Sequence, residues 1–145
     1  MGMDLNLYRT PASVRLDAID TEDNEDWETL GNLERDGLMT EVAYWRRFEP
    51  VMRWVETKVL HEQVKNCGYY RLTRDEVARL GADCLSVLAD PSRYWDLLEG
   101  DPDDLRDGAE GPNPERELLA DTVKQVADAL VSAPPGDAFW FSASW

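Results

Sequence analysis

One histidine, His61, and two cysteines, Cys67 and Cys84, are the only imidazole and thiol groups in the chain. A structural zinc site needs four tetrahedral ligands, and a catalytic one needs three with an open position. These three residues are spread out and form no Cys-x-x-Cys pair, so no metal site is expected and both thiols are expected reduced. His61 falls beside Glu62 near the end of a predicted helix, where a positive ring is favoured by the helix dipole. Nothing in the spacing supplies it with a nucleophile and an orienting acid, so no triad is assigned. Gly-rich phosphate loops are absent, no cofactor is expected and no catalytic residue is named.

Carboxylates are the abundant chemistry. Thirty acids stand against fifteen bases, a net charge of −15. Two stretches hold the imbalance: residues 17–36 carry nine acids and one base, and residues 96–121 carry ten acids and two bases. The remainder is nearly neutral. Such concentrated negative charge steers a basic partner, whereas diffuse charge mainly aids solubility. The candidate partner-binding carboxylates are Asp23, Glu25, Asp26, Asp101, Asp103, Asp104 and Asp107. The opposing reading is that the acidity is solvation or source bias, since Arg outnumbers Lys twelve to three. Asp101 to Asp107 begins like a calcium loop but fails as one, with Leu105 at position 5, Arg106 where Gly is needed and Pro112 where Glu is needed. Direct nucleic-acid binding is disfavoured because the net field repels phosphates. An alternative ligand site, for a small molecule or a metal in an enzyme-like domain, is the polar aromatic group Tyr44, Arg46, Trp54 and Tyr70. The neighbouring arginines, Arg46, Arg47 and Arg53, are equally explained as stems covering Trp45 and Trp54.

These residues need a scaffold. A chain of 145 residues with 43% hydrophobic content suits one domain with a core of its own, and six Trp, five Tyr and three Phe supply bulk. No apolar run approaches the roughly 18 residues of a membrane span. The opening Met1-Gly2-Met3-Asp4-Leu5 has no basic region leading into an apolar stretch, and Asn6 stands where a myristoylation signal needs Ser or Thr. The expected compartment is the cytoplasm; the sequence leaves the oligomeric state open.

Period-two alternation predicts strands at 3–8, 41–45, 69–72 and 137–145. Helical spacing of Phe48, Val51, Met52, Val55 and Val59 predicts a helix over 49–64, with Pro50 in its first turn. Thr73-Arg74-Asp75-Glu76 has capping-box form and opens a second helix that buries Val77, Leu80, Cys84 and Leu88 and closes at Asp90-Pro91. Leu119, Val123, Val126 and Leu130 mark a third, ending before Pro134. Residues 94–98 read as a packed turn and most of 96–121 as loop, as does 17–36 apart from a helical turn near 27–33. The fold class is therefore α+β: a mixed or antiparallel sheet of about four strands with about three helices on one face.

Four of these segments carry a likeness. The start Met1-Gly2-Met3-Asp4-Leu5-Asn6-Leu7, the run Val42-Ala43-Tyr44-Trp45-Arg46-Arg47 with Trp54-Val55, the run Cys67-Gly68-Tyr69-Tyr70-Arg71-Leu72-Thr73-Arg74, and the aromatic ending Phe139 to Trp145 resemble, in order, a family of small uncharacterised proteins of tailed phages and prophages. They amount to 30 of the 145 residues, about a fifth of the chain. Members often carry a histidine two residues before the helix tryptophan; Met52 stands there instead. The resemblance implies phage origin and supplies no catalytic residue. It implies no established reaction. With the concentrated acidity, the expectation is an accessory protein that acts by binding, an acidic inhibitor or nucleic-acid mimic set against a basic surface on a host or defence protein.

Overall fold

A computed structural model describes residues 3–12, 32–33, 35–106 and 113–145. Its strands are β1 (Asp4–Thr10), β2 (Thr40–Arg46), β3 (Tyr69–Leu72) and β4 (Ala138–Ser144). Its helices are α1 (Glu49–Trp54), α2 (Arg74–Ala89), α3 (Tyr94–Leu98) and α4 (Pro114–Ser132). The strands form one antiparallel sheet in the order β2-β1-β4-β3. The architecture is α+β, as the alternation and helical spacing predict.

Strand β4 lies between β1 and β3, so both its edges are paired, and side chains on both its faces are buried. Phe139, Phe141 and Ala143 join Leu5, Leu7, Trp45 and Leu72 under the helices. On the opposite face Trp140 packs with Tyr8 and Met39. Trp145 lies beyond the end of the strand at Ser144 and is exposed.

Three buried tryptophans each place an indole N–H on a different element. Trp45 donates to Thr122 Oγ1 at 2.7 Å, Trp54 to Asp83 Oδ2 at 2.8 Å and Trp140 to Thr10 Oγ1 at 3.1 Å. A buried indole needs such an acceptor, so these bonds fix how helix meets sheet and strand meets strand. Helices α2 and α4 approach closely at Gly81, where an added Cβ would sit 3.0 Å from Val126 Cγ1.

The edge strand β2 is occupied from the side. The Gln125 side chain on α4 accepts from the Tyr44 N–H at 2.8 Å and donates to the Tyr44 carbonyl at 3.0 Å. It thereby takes up backbone groups that would otherwise template another strand. Between Leu7 and Tyr8 the register shifts: Leu7 faces Ala43 and Tyr8 faces Glu41, leaving Val42 as an extra residue.

The capping box forms as its sequence predicts. Thr73 Oγ1 accepts from the Glu76 N–H at 3.1 Å, and the Thr73 N–H donates to Glu76 Oε1 at 2.8 Å. Three helix expectations need correction. The helix expected over 49–64 is α1 followed by a π-helical turn, Val55–Leu60, that stops at His61 with φ 55°. The chain turns back there because Val64 is buried and its N–H donates to Glu56 Oε2 at 2.8 Å. In α2 it is Val87 that is fully buried, while Leu88 is only partly covered. Finally, α4 starts at Pro114, inside the stretch read as loop: the Asn113 side chain accepts from the Arg116 N–H at 3.1 Å, and Pro114 fills the first turn. The helical turn expected near 27–33 falls mostly outside the described residues.

Among the described residues no helix is long and apolar enough to cross a membrane. Both cysteines are free thiols, Cys67 exposed and Cys84 buried.

Deleting residues 139–145 removes a central strand with three buried aromatic side chains. The loss is expected to match the whole ~5–15 kcal/mol stability of a domain, giving a chain without a cooperative melt; a truncated protein that melts like the full chain would contradict the central placement of β4. Thr73→Ala is expected to cost about 1 kcal/mol in urea unfolding with unchanged circular dichroism.

Candidate functional site

The described part of the second acidic stretch is built rather than loose. After α3 the chain turns at Glu99, with φ 53°, and its N–H returns to the Trp95 carbonyl at 2.9 Å. Gly100 follows directly over the Tyr94 ring; an added Cβ would lie 2.2 Å from Tyr94 Cζ, so only glycine passes there. Asp101 then caps a 3-10 turn, Pro102–Leu105, its carboxylate accepting the Asp103 N–H at 2.9 Å.

Three anchors hold this turn on α4. Leu105 is buried, and its carbonyl accepts from Arg116 Nε at 2.7 Å. Asn113 Nδ2 donates to the carbonyls of Asp104 and Arg106, at 2.8 and 2.9 Å. The exposed carboxylates of Asp101, Asp103 and Asp104 thus stand on an anchored backbone. Asp103 is paired with Arg106 at 2.9 Å across an exposed surface, a contact worth little to folding.

Beside the turn lies a cleft of about 350 Å3, bounded by Pro50 and Arg53 of α1, Tyr94 and Trp95 of α3, Asp101 and Asp104 of the turn, and Glu115 of α4. Tyr94 is fully buried and its hydroxyl donates to Glu115 Oε2 at 2.5 Å. Burial, then the bond to Glu115, raises the Tyr94 phenol well above its ordinary range. Burial likewise pushes the Cys84 thiol up to about 12. Arg53 is held by Glu49 at 2.5 Å and donates to the Glu99 carbonyl at 3.3 Å.

The sequence-derived candidates divide. Asp101, Asp103 and Asp104 come together on the turn. Asp23, Glu25, Asp26 and Asp107 lie outside the described residues. The four residues of the alternative ligand group stand on two faces of the sheet. Tyr44 and Arg46 are on the outer face of β2, where the Tyr44 hydroxyl donates to Asp4 Oδ1 at 2.6 Å. That bond is the main reason the Tyr44 phenol is raised above its usual range. Trp54, on α1, and Tyr70, on the inner face of β3, are buried in the core. Tyr70 spends its hydroxyl accepting the Lys65 N–H at 2.7 Å. Among the described residues, no group of three His, Cys, Asp or Glu side chains could hold a metal ion.

Sequence reasoning did not join Trp95, Glu99 and Glu115 to the acidic turn. A signal existed for the last of these: Asn113-Pro114-Glu115 reads as cap, first-turn proline and first-turn acid. Comparison with protein-family models, with curated proteins and with solved structures gave no match for this chain.

Tyr94→Phe removes the donor to Glu115 and is expected to cost roughly 1.5–3 kcal/mol, as for a hydrogen bond to a charged group. The folded chain holds the Tyr94 proton more tightly than the unfolded chain does. Its contribution is therefore complete below the ordinary phenol pKa of about 10 and lost as pH rises above it. The wild-type melting temperature should accordingly fall more steeply above about pH 10 than that of Tyr94→Phe; parallel curves would remove Tyr94 from this role.

Proposed function

We propose that this chain is a binding protein that engages a basic surface on a protein partner, with the turn Asp101–Asp104 as a principal contact. The observation that carries this reading is the anchoring of that turn by Leu105, Arg116 and Asn113, which sets three exposed carboxylates on a fixed backbone. Fixed carboxylates lose little freedom when they bind, and so act as phosphate-like contacts where a mobile acidic tail would not. The reading is that of an accessory protein, acting in the cytoplasm of a bacterial or archaeal host. It occupies the nucleic-acid groove of a host or defence protein, its acidic tracts standing in for phosphates. The acidic stretch 17–36 adds to the field that steers the partner.

The test is retention of proteins from a bacterial lysate on the immobilised full chain. A specifically retained protein is expected to be released by competing duplex DNA and by raised salt, since counterion-dependent contacts weaken steeply with ionic strength. The triple variant Asp101→Asn, Asp103→Asn, Asp104→Asn should lose that retention while its melting stays within about 0.5 kcal/mol of wild type. Equal retention by the triple variant, or release by neither DNA nor salt, would overturn the reading.

A further inference from the structure

We infer that the cleft between α1, α3 and the acidic turn receives one arginine side chain of a protein partner, with Trp95 as the stacking surface and Glu99 and Asp104 as the acceptors. This deepens the proposed function and rests on it.

The first observation is Trp95. Its neighbour Tyr94 is fully buried, yet Trp95 is 62% exposed at the mouth of the cleft. The tryptophans at 45, 54 and 140 are buried and hydrogen-bonded, so this indole stands apart from the core. Among aromatic rings an indole face attracts a cation most strongly, and it stacks well with a planar guanidinium.

The second observation is the allotment of charge around the cleft. Two arginines, Arg47 and Arg53, line the cleft against five carboxylates, Glu49, Glu99, Asp101, Asp104 and Glu115, so negative charge is in excess. Glu49 is taken by Arg53, Glu115 by the Tyr94 hydroxyl, and Asp101 spends one oxygen on the Asp103 N–H. Among the described residues the carboxylates of Glu99 and Asp104 have no hydrogen-bond or ion-pair partner. Two open acceptors and an aromatic wall suit a group that is flat, positive and many-donored. Guanidinium meets all three conditions; an ammonium has neither the flat face nor the fork. The cleft at about 350 Å3 lies at the small end of ligand sites, suited to one side chain rather than to a larger cofactor.

The third observation is rigidity. The Glu99 backbone is held in a left-handed conformation between two helix-return bonds, and Gly100 is locked over Tyr94. Both acceptors therefore sit on backbone fixed before the partner arrives, which lowers the ordering cost of binding.

The experiment is titration of the full chain with hexa-arginine and with hexalysine peptides at low salt, by calorimetry and by the shift of the Trp95 indole N–H resonance. Hexa-arginine is expected to bind about tenfold more tightly than hexalysine and to move that resonance. Trp95→Ala and, separately, Glu99→Gln should each remove most of this preference while the melting temperature holds. Asp103→Asn, on the turn but outside the cleft, should weaken both peptides alike and leave the preference intact. Equal affinity for the two peptides, an unmoved resonance, or a preference that survives both cleft variants would overturn the inference. If those cleft results come with weakening by Asp103→Asn, the acidic-turn reading stands without the cleft. If Asp103→Asn has no effect while Trp95→Ala abolishes the preference, the cleft stands and the turn reading falls.

Discussion

The seven-residue antiparallel pairing of β1 with β4 is the constraint on which the other contacts depend. It joins the first and last described strands along their whole length, from Asp4 opposite Ser144 to Thr10 opposite Ala138. Both are interior strands, so β2 and β3 belong to one sheet only through this pair. The helices in turn pack on side chains that it aligns: Leu5 and Leu7 from one strand, Phe139, Phe141 and Ala143 from the other. Such contacts span nearly the entire chain, and closing so long a loop must be compensated by dense burial. The run of aromatic residues on both faces of β4 supplies that burial.

Polar groups in the core are arranged to the same end. Each buried tryptophan meets an acceptor on another element, and Gln125 takes up the Tyr44 backbone at the sheet edge. Arg74 extends the pattern at the far end of α4, donating to the carbonyls of Leu130, Ala133 and Pro134 where that helix stops. These bonds contribute modestly one by one, but leaving any partner buried and unpaired costs more than the bond itself gives. They act chiefly to select one arrangement of helices on the sheet.

The candidate site sits where buried anchors alternate with exposed side chains. Tyr94, Leu98 and Leu105 are buried members of the core, while their neighbours Trp95, Asp101 and Asp104 face solvent. The alternation of anchored and presented residues within a dozen positions joins core packing to surface chemistry. A substitution at Gly100 would therefore disturb both at once, because the Tyr94 ring occupies the space a side chain would need.

Local chemistry made much of the chain legible from its sequence. The capping box at Thr73 needs only four consecutive residues, and strand alternation needs only the side-chain period of two. The four strands, α2 and the α+β class follow from such short-range rules. Two helix boundaries escaped them. The end of the π-helical turn after α1 depends on Val64 being buried and bonding back to Glu56, and the start of α4 hides among prolines and acids that suggest loop, although Asn113-Pro114 is a capping signal. The acidic segments were legible as charge, but the anchoring of Asp101 to Asp104 was not, since Arg116 and Asn113 reach back from the next helix. Tertiary structure alone decided that β4 lies in the middle of the sheet, that Tyr44 and Arg46 part from Trp54 and Tyr70, and that Trp95 is left exposed beside Glu99 and Asp104. The physical reason is that these outcomes rest on contacts between segments far apart in the chain, which no local period or motif encodes.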